Sequence, residues 1–185
     1  MILGAGPDVE PLLQICDSLG WNVTVSDHRP AYVSRLQRHD STTAGCMPAD
    51  EIAAKQDFSQ YDAAIVMSHN LTSDRAYLWA LAATDVSFVG LLGPPQRRDR
   101  LLEEIGDDAA LLADRLRSPA GKLIGGRGRS SIALEVVVER QALFCGSDYR
   151  SLSASRSACV SMSIDAGSKL TGTTDNCRFK FLPLA

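Results

Sequence analysis

The chain has 185 residues, of which 45% are apolar and 22% charged, with a formal net charge of −3. That balance is ordinary for a soluble globular protein and argues against a general nucleic-acid binder, which carries a basic stripe. No apolar run approaches the roughly 18 residues that a membrane-crossing helix needs, and the opening MILGAGPD has neither the basic region nor the long apolar stretch of a signal peptide.

Residues 1–30 read strand, glycine turn, helix, strand. Met1, Ile2 and Leu3 are apolar, and Gly4-Ala5-Gly6 is the turn. Val9, Leu12, Leu13, Cys16 and Leu19 then recur at helical spacing up to Gly20, a natural stop. Trp21 to Val25 alternates as a strand and ends at Ser26-Asp27. Residues 31–60 are polar, interrupted by Gly45 and Pro48, and predict short elements and loop. Ala63 to Met67 is an apolar run of the length of a buried parallel strand. The next helix is predicted with Thr72 or Ser73 as its cap and Ala76, Leu78, Trp79, Leu81 and Ala82 as its apolar face. Val86 to Leu92 follows as a second buried strand, then helices over Pro95 to Ile105, Asp107 to Leu116 and Ile132 to Phe144.

Strands alternating with helices predict an α/β fold: a doubly wound, mainly parallel sheet with helices on both faces. Residues 1–145 form this domain. Residues 146–185 read as a Ser/Thr-rich extension, disordered or at most a marginal hairpin; positions 151–185 alone hold seven serines and three threonines. The five cysteines (Cys16, Cys46, Cys145, Cys159 and Cys177) are scattered and lack a CxxC pair. That pattern suits reduced thiols in a cytoplasm, and it supplies no metal site.

In such a fold ligands bind at the carboxyl ends of the strands. The stretches to inspect are therefore Gly4–Gly6, Asp27–Arg29, Ser68–Asp74 and Gly93–Arg100. Gly4 and Gly6 match the first two glycines of the dinucleotide fingerprint, with Val9 where the third belongs. Asp27 lies 23 positions after Gly4, where an acid accepts hydrogen bonds from a ribose diol. A tight turn with a capping aspartate leaves the same residues. Arg29 is placed to meet a phosphate, including the 2′-phosphate of an NADP-type ligand, or to make a loop salt bridge. His69, with Asp74 five positions on, is placed to titrate near neutral pH at a strand end, or to be structural.

Gly93-Pro94-Pro95-Gln96-Arg97-Arg98 opens a helix with arginines where the dipole favours acids. An anion between them resolves the conflict, since helix starts and arginines both bind phosphate. The alternative is a solvated face, with Arg97 and Arg98 near Asp99 and Arg100 pairing with Glu103 or Glu104. The glycine-dense stretch Pro119 to Ala133 carries Lys122, Arg127 and Arg129, with Ser130 or Ser131 as the expected cap of the last helix. A plain connection fits it equally.

The segments GAGPDVEPL, LGWNVTVSDHRPAY, IVMSHNLTSDRAYL, FVGLLGPPQRRDRLLEEIG and RLRSPAGKLIGGRGRSSIALEVVVE, in this order over residues 2–144, resemble the xanthine dehydrogenase accessory proteins of the XdhC/CoxI type. The resemblance implies a Rossmann-like C-terminal domain of a cytoplasmic, non-catalytic chaperone. Such a protein holds the molybdenum cofactor (molybdopterin), assists its sulfuration, and delivers it to a molybdenum hydroxylase client. It implies as partners that client and a sulfurating enzyme. Carried over onto matching positions, the cofactor-binding residues are Gly4, Gly6, Asp27, Arg29, His69, Asp74, Gly93, Arg97 and Arg98.

Three departures stand beside it. The family has a substantial segment before the glycine turn, so the short opening strand predicts a fragment, a split-gene product or a misplaced start. Arg129-Ser130-Ser131 replaces the family's Pro-Glu before the last helix. Residues 146–185 match no family pattern. A clipped first strand leaves open either pairing with a second chain as a homodimer or lower stability. Two other functions are weighed: an NAD(P)-dependent oxidoreductase with His69 as acid/base, which lacks a companion substrate domain and a catalytic partner, and a truncated inactive paralogue.

Overall fold

The computed structural model describes residues 1–36, 41–121 and 128–145. β1 (Ile2–Leu3) runs through the glycine turn into α1 (Val9–Ser18), followed by β2 (Val23–Asp27), α2 (Pro30–Leu36) and β3 (Thr42–Cys46). A 3-10 turn (Ala49–Glu51) and α3 (Ile52–Lys55) lead to β4 (Ala63–Val66), α4 (Leu71–Ala82), β5 (Phe88–Leu91) and α5 (Pro95–Ile105). A 3-10 segment (Gly106–Leu112), β6 (Leu116–Arg117) and α6 (Arg129–Phe144) complete the described elements.

The six strands hydrogen-bond in the order β3-β2-β1-β4-β5-β6, and every neighbouring pair is parallel. That is the doubly wound, Rossmann-like order, in which β1 and β4 diverge into opposite halves and open a crevice at their carboxyl ends.

Side-chain alternation along the strands builds the two layers. Ile2, Val25, Ile65 and Met67 pack with Val9, Leu12 and Leu13 of α1 and Val136 and Val137 of α6. Leu3, Ala64, Val66, Val89 and Leu91 face the other way, onto Ile52, Tyr77, Leu78, Leu81 and Leu101. Strands buried on both faces read as continuous apolar runs, which is why 63–67 and 88–92 are visible in the sequence.

The structure departs from the expected elements in α4, over 107–116 and at the start of α6, and forms short elements within 31–60 as expected. In α4 the cap is Asn70, whose Oδ1 accepts from the Ser73 N–H at 3.0 Å; Thr72 and Ser73 lie inside the first turn. Asn70 has the extended backbone a capping residue needs, and the helix starts one residue later. The buried stripe of α4 is Asp74, Tyr77, Leu78 and Leu81, the i, i+3, i+4, i+7 set. Trp79 falls outside it, 55% exposed, with its indole N–H donated to Asp108 Oδ2 at 3.1 Å.

Within 31–60 the chain forms α2 and β3, the latter a half-exposed edge strand paired to β2. In place of a helix over 107–116 there is the 3-10 segment and then β6, which exists by pairing Leu116 with Val89 and Arg117 with Gly90. α6 begins at Arg129 with Gly128 as its cap and no side-chain capping bond, so neither Ser130 nor Ser131 serves. The extension 146–185 and the cations Lys122 and Arg127 lie outside the described residues. Among the described residues no helix is long and apolar enough to cross a membrane.

Candidate functional site

The crevice between β1 and β4 is shaped by a glycine that nothing else can replace. Gly4 has φ +117°, and a Cβ there would lie 2.6 Å from both Cα and N of Ser68. Only glycine lets the first turn pass this close to the end of β4. Gly6 is not crowded; a Cβ on it would meet only His69 Cδ2, at 3.8 Å. Val9, in the third glycine position of the fingerprint, is fully buried and packs in the α1 and α6 layer.

Asp27, at the end of β2, turns inward. Its Oδ2 accepts from the Ala5 N–H at 2.6 Å and from Arg29 Nη2 at 2.7 Å, while Oδ1 accepts from the Arg29 N–H and Nε, both at 2.9 Å. Burial pushes this carboxyl up, yet the Arg29 hydrogen bonds and the Ala5 amide outweigh it and hold it below the usual carboxylate range. The same pairing raises Arg29 above its ordinary value. The Arg29 guanidinium also stacks on Tyr32, 4.1 Å from the ring centre. Asp27 is fully buried, so its acceptors fasten the glycine turn to β2, while the Arg29 side chain keeps about a third of its surface in solvent.

A second pair stands on the other side of the switch point. Asp74, one turn into α4 and fully buried, accepts from Arg97 Nε at 3.2 Å and Nη2 at 2.7 Å on one oxygen, and from the Ser68 hydroxyl on the other. Gly93 has φ +137°, and a Cβ there would lie 2.8 Å from Arg97 Cδ, so glycine makes room for the arginine to fold back. Tyr77 lies beneath, its hydroxyl buried without a partner among the described residues. Burial and the charges of Asp27 and Asp74 push that phenol well above its ordinary value.

The anion that relieves the arginines at the start of α5 is therefore supplied in part by Asp74. Arg98 donates to Asp99 Oδ1 and, at 3.3 Å, to the Ser118 carbonyl at the end of β6. Arg100 pairs with Glu104 at 2.9 Å, as its spacing predicts.

Above the turn lies a cluster that the sequence alone does not single out. Asp8 Oδ2 accepts from His69 Nε2 at 3.0 Å, and Asp8 Oδ1 forms an ion pair with Arg129, whose Nε lies 2.9 Å away. His69 reaches it from a left-handed backbone, φ +60°, uncommon for a residue with a β-carbon. The three residues join the start of α1, the end of β4 and the start of α6 across the mouth.

Comparison with known proteins then decides the family. The model of the XdhC Rossmann domain matches residues 1–139. The chain belongs to the XdhC Rossmann domain family. A relative from Bacillus subtilis (strain 168), named as a probable xanthine dehydrogenase subunit, is 32% identical over 140 residues, which is 75% of this chain and 41% of the relative. A crystal structure described as a xanthine dehydrogenase from Bacillus halodurans aligns with a TM-score of 0.68 at 26% identity, covering 81% of this chain and 43% of that one. The chain thus spans about two fifths of the length of both proteins.

In this XdhC-type domain the structure brings Gly4, Gly6, Asp27, Arg29, His69 and Asp74 to the strand ends, with Gly93, Arg97 and Arg98 at the neighbouring start of α5. It divides them by task. Asp27 and Asp74 are anchors. Arg29 and Arg97 are held by them, with no described residue taking the Nη1 hydrogens of either. Among the described residues no cluster of three or more His, Cys, Asp or Glu is placed to hold a metal ion. Asp8 and Tyr77 are the residues that sequence reasoning misses. In the sequence Asp8 shows only as the residue after a turn proline, and Tyr77 only as one aromatic among helix residues.

Proposed function

We propose that this domain holds the molybdenum cofactor (molybdopterin), assists its sulfuration, and serves its insertion into a xanthine dehydrogenase-type molybdenum hydroxylase. It acts as an accessory protein rather than as the catalyst. Its partners in this reading are that client and a sulfurating enzyme. The names of the matched relatives support the association with xanthine dehydrogenase.

The observation that carries the reading is the pair of anchored arginines flanking the switch point. Each guanidinium has two nitrogens fixed by a buried carboxylate, Arg29 by Asp27 and Arg97 by Asp74, which among the described residues leaves an Nη1 edge without a partner on each. Molybdopterin carries a phosphate, and guanidinium edges are suited donors for it. The donor set therefore fits the cofactor's anionic end. When bound, the cofactor supplies the molybdenum chemistry, and these residues bind and orient.

The test is whether the purified protein retains molybdopterin and whether that retention depends on the arginines. Arg97→Ala with Arg98→Ala is expected to lose it. Arg97→Ala also strands the Asp74 carboxylate, so Arg98→Ala alone, which loses only the open Asp99 pair and one long bond to the Ser118 carbonyl, is the companion variant and is expected to weaken retention with a melt changed little. Full retention in both would sink the reading.

A further inference from the structure

We infer that the Tyr77 hydroxyl is a third donor at the switch point: it gives its hydrogen bond to a phosphate-class oxyanion that the Arg29 and Arg97 edges hold. The inference rests on the proposed function only for what carries that oxyanion. Tyr77 is 0% exposed, and its hydroxyl has no hydrogen-bond partner among the described residues. A polar group buried and left unpaired weakens a fold, and native interiors keep few of them. Phenylalanine would fill the same space without that penalty. Neither neighbouring carboxylate takes the phenol proton: Asp27 accepts from Ala5 and Arg29, and Asp74 from Arg97 and Ser68.

Its place in the fold directs the hydroxyl to the crevice. α4 starts just past the carboxyl end of β4, and Tyr77 lies one turn beyond Asp74 on the buried stripe. Helical side chains lean toward the N-terminus of their helix, so the ring leans back toward the strand ends. There the charges of Asp27, Asp74 and Arg29 all act on the phenol. Burial and the two carboxylates keep it protonated near neutral pH, so it serves as a donor. Ser26 Oγ is a second buried hydroxyl without a described partner. Ser26 stands in register with Leu3, which packs in the Tyr77 layer, so both hydroxyls lie on the same side of the sheet. Two unpartnered hydroxyls beside two guanidinium edges suit an oxyanion, which accepts several strong hydrogen bonds at once.

The experiment is titration of the purified chain with inorganic phosphate, with urea denaturation of each variant beside it. Tyr77→Phe removes only the hydroxyl. It is expected to weaken phosphate binding about tenfold while its denaturation midpoint equals that of the wild type or rises. Tyr61→Phe is the control: its hydroxyl accepts from Gln56 Nε2 at 3.0 Å, near the amino end of β4, and phosphate binding is expected to stay unchanged. A second measurement leaves Tyr77 intact. With the other three tyrosines replaced by phenylalanine and the phenol carbon isotope-labelled, phosphate is expected to shift the one remaining resonance. No saturable phosphate binding by the wild type up to about 10 mM overturns the proposal. So does full affinity in Tyr77→Phe, an unshifted resonance, or a lowered midpoint, which would mark an internal hydrogen bond such as one to a trapped water. The cofactor reading fails separately: a chain that binds phosphate through Tyr77 yet retains no molybdopterin keeps this site and loses that reading. Retained molybdopterin with full phosphate affinity in Tyr77→Phe does the reverse.

Discussion

The crevice is lined by two kinds of carboxylate–cation contact, and they differ in solvent before they differ in anything else. Asp27 with Arg29 and Asp74 with Arg97 have carboxylate side chains that are 1% and 0% exposed. Asp8 with His69 and Arg129 is open to water on every member. A buried pair is costly to break, because removing one partner strands a charge where water cannot reach it. An open pair is cheap to exchange, because water replaces whichever partner leaves. The first kind therefore fixes architecture: Asp27 ties the glycine turn to β2, and Asp74 ties α4 to the start of α5. The second kind can exchange partners with little cost to the fold.

The sharpest way to break the comparison is to remove a buried anchor. Asp74→Ala leaves the Arg97 guanidinium and the Ser68 hydroxyl without their acceptor. It is expected to cost roughly 3–5 kcal/mol in urea denaturation. Replacing both partners, Asp74→Leu with Arg97→Met, is expected to return much of that loss, since no charge is then stranded. A loss of under 1 kcal/mol for Asp74→Ala would mean that this pair behaves as a surface pair.

The arrangement also explains what can be read from the chain. The buried strands and the Arg100–Glu104 pair follow from local rules, a short continuous apolar run for a strand buried on both faces and i, i+4 on a helix. β6 and β3 do not, because their short, polar stretches become strands only by pairing with β5 and β2. Strand-end logic likewise finds Asp27, Arg29, Asp74 and Arg97. It does not find that Arg97 bonds Asp74, 23 residues away in sequence, instead of facing out to an anion. Asp8 is invisible for the same reason: both its partners arrive from other elements, His69 after β4 and Arg129 at the start of α6.

A smaller effect sharpens the comparison by pH. The Asp27 carboxyl is held below its ordinary value of 3.8. The unfolded chain then binds the proton more tightly than the folded one, so acid favours unfolding. Its contribution is fully present above the unfolded value and is lost as the pH falls through the lower folded one. Denaturation midpoints are expected to be flat for this group near neutrality and to drop in the acid range, and Asp27→Asn is expected to flatten that acid limb. An acid limb identical in wild type and Asp27→Asn would show that the Arg29 and Ala5 bonds do not favour the charged form.

The smallest expected effect lies at the open cluster. Asp8→Asn keeps the size of the side chain and removes its charge, so Arg129 and His69 lose an ionic partner but gain water. Because all three side chains are already solvated, the unfolding free energy is expected to shift by less than about 1 kcal/mol, with an unchanged denaturant slope. That small cost, against the large one at Asp74, is what distinguishes the two kinds of contact. A loss at Asp8 as large as the loss at Asp74 would place the cluster among the anchors: α1, β4 and α6 would then depend on Asp8 for their packing, and the crevice mouth would be a structural joint.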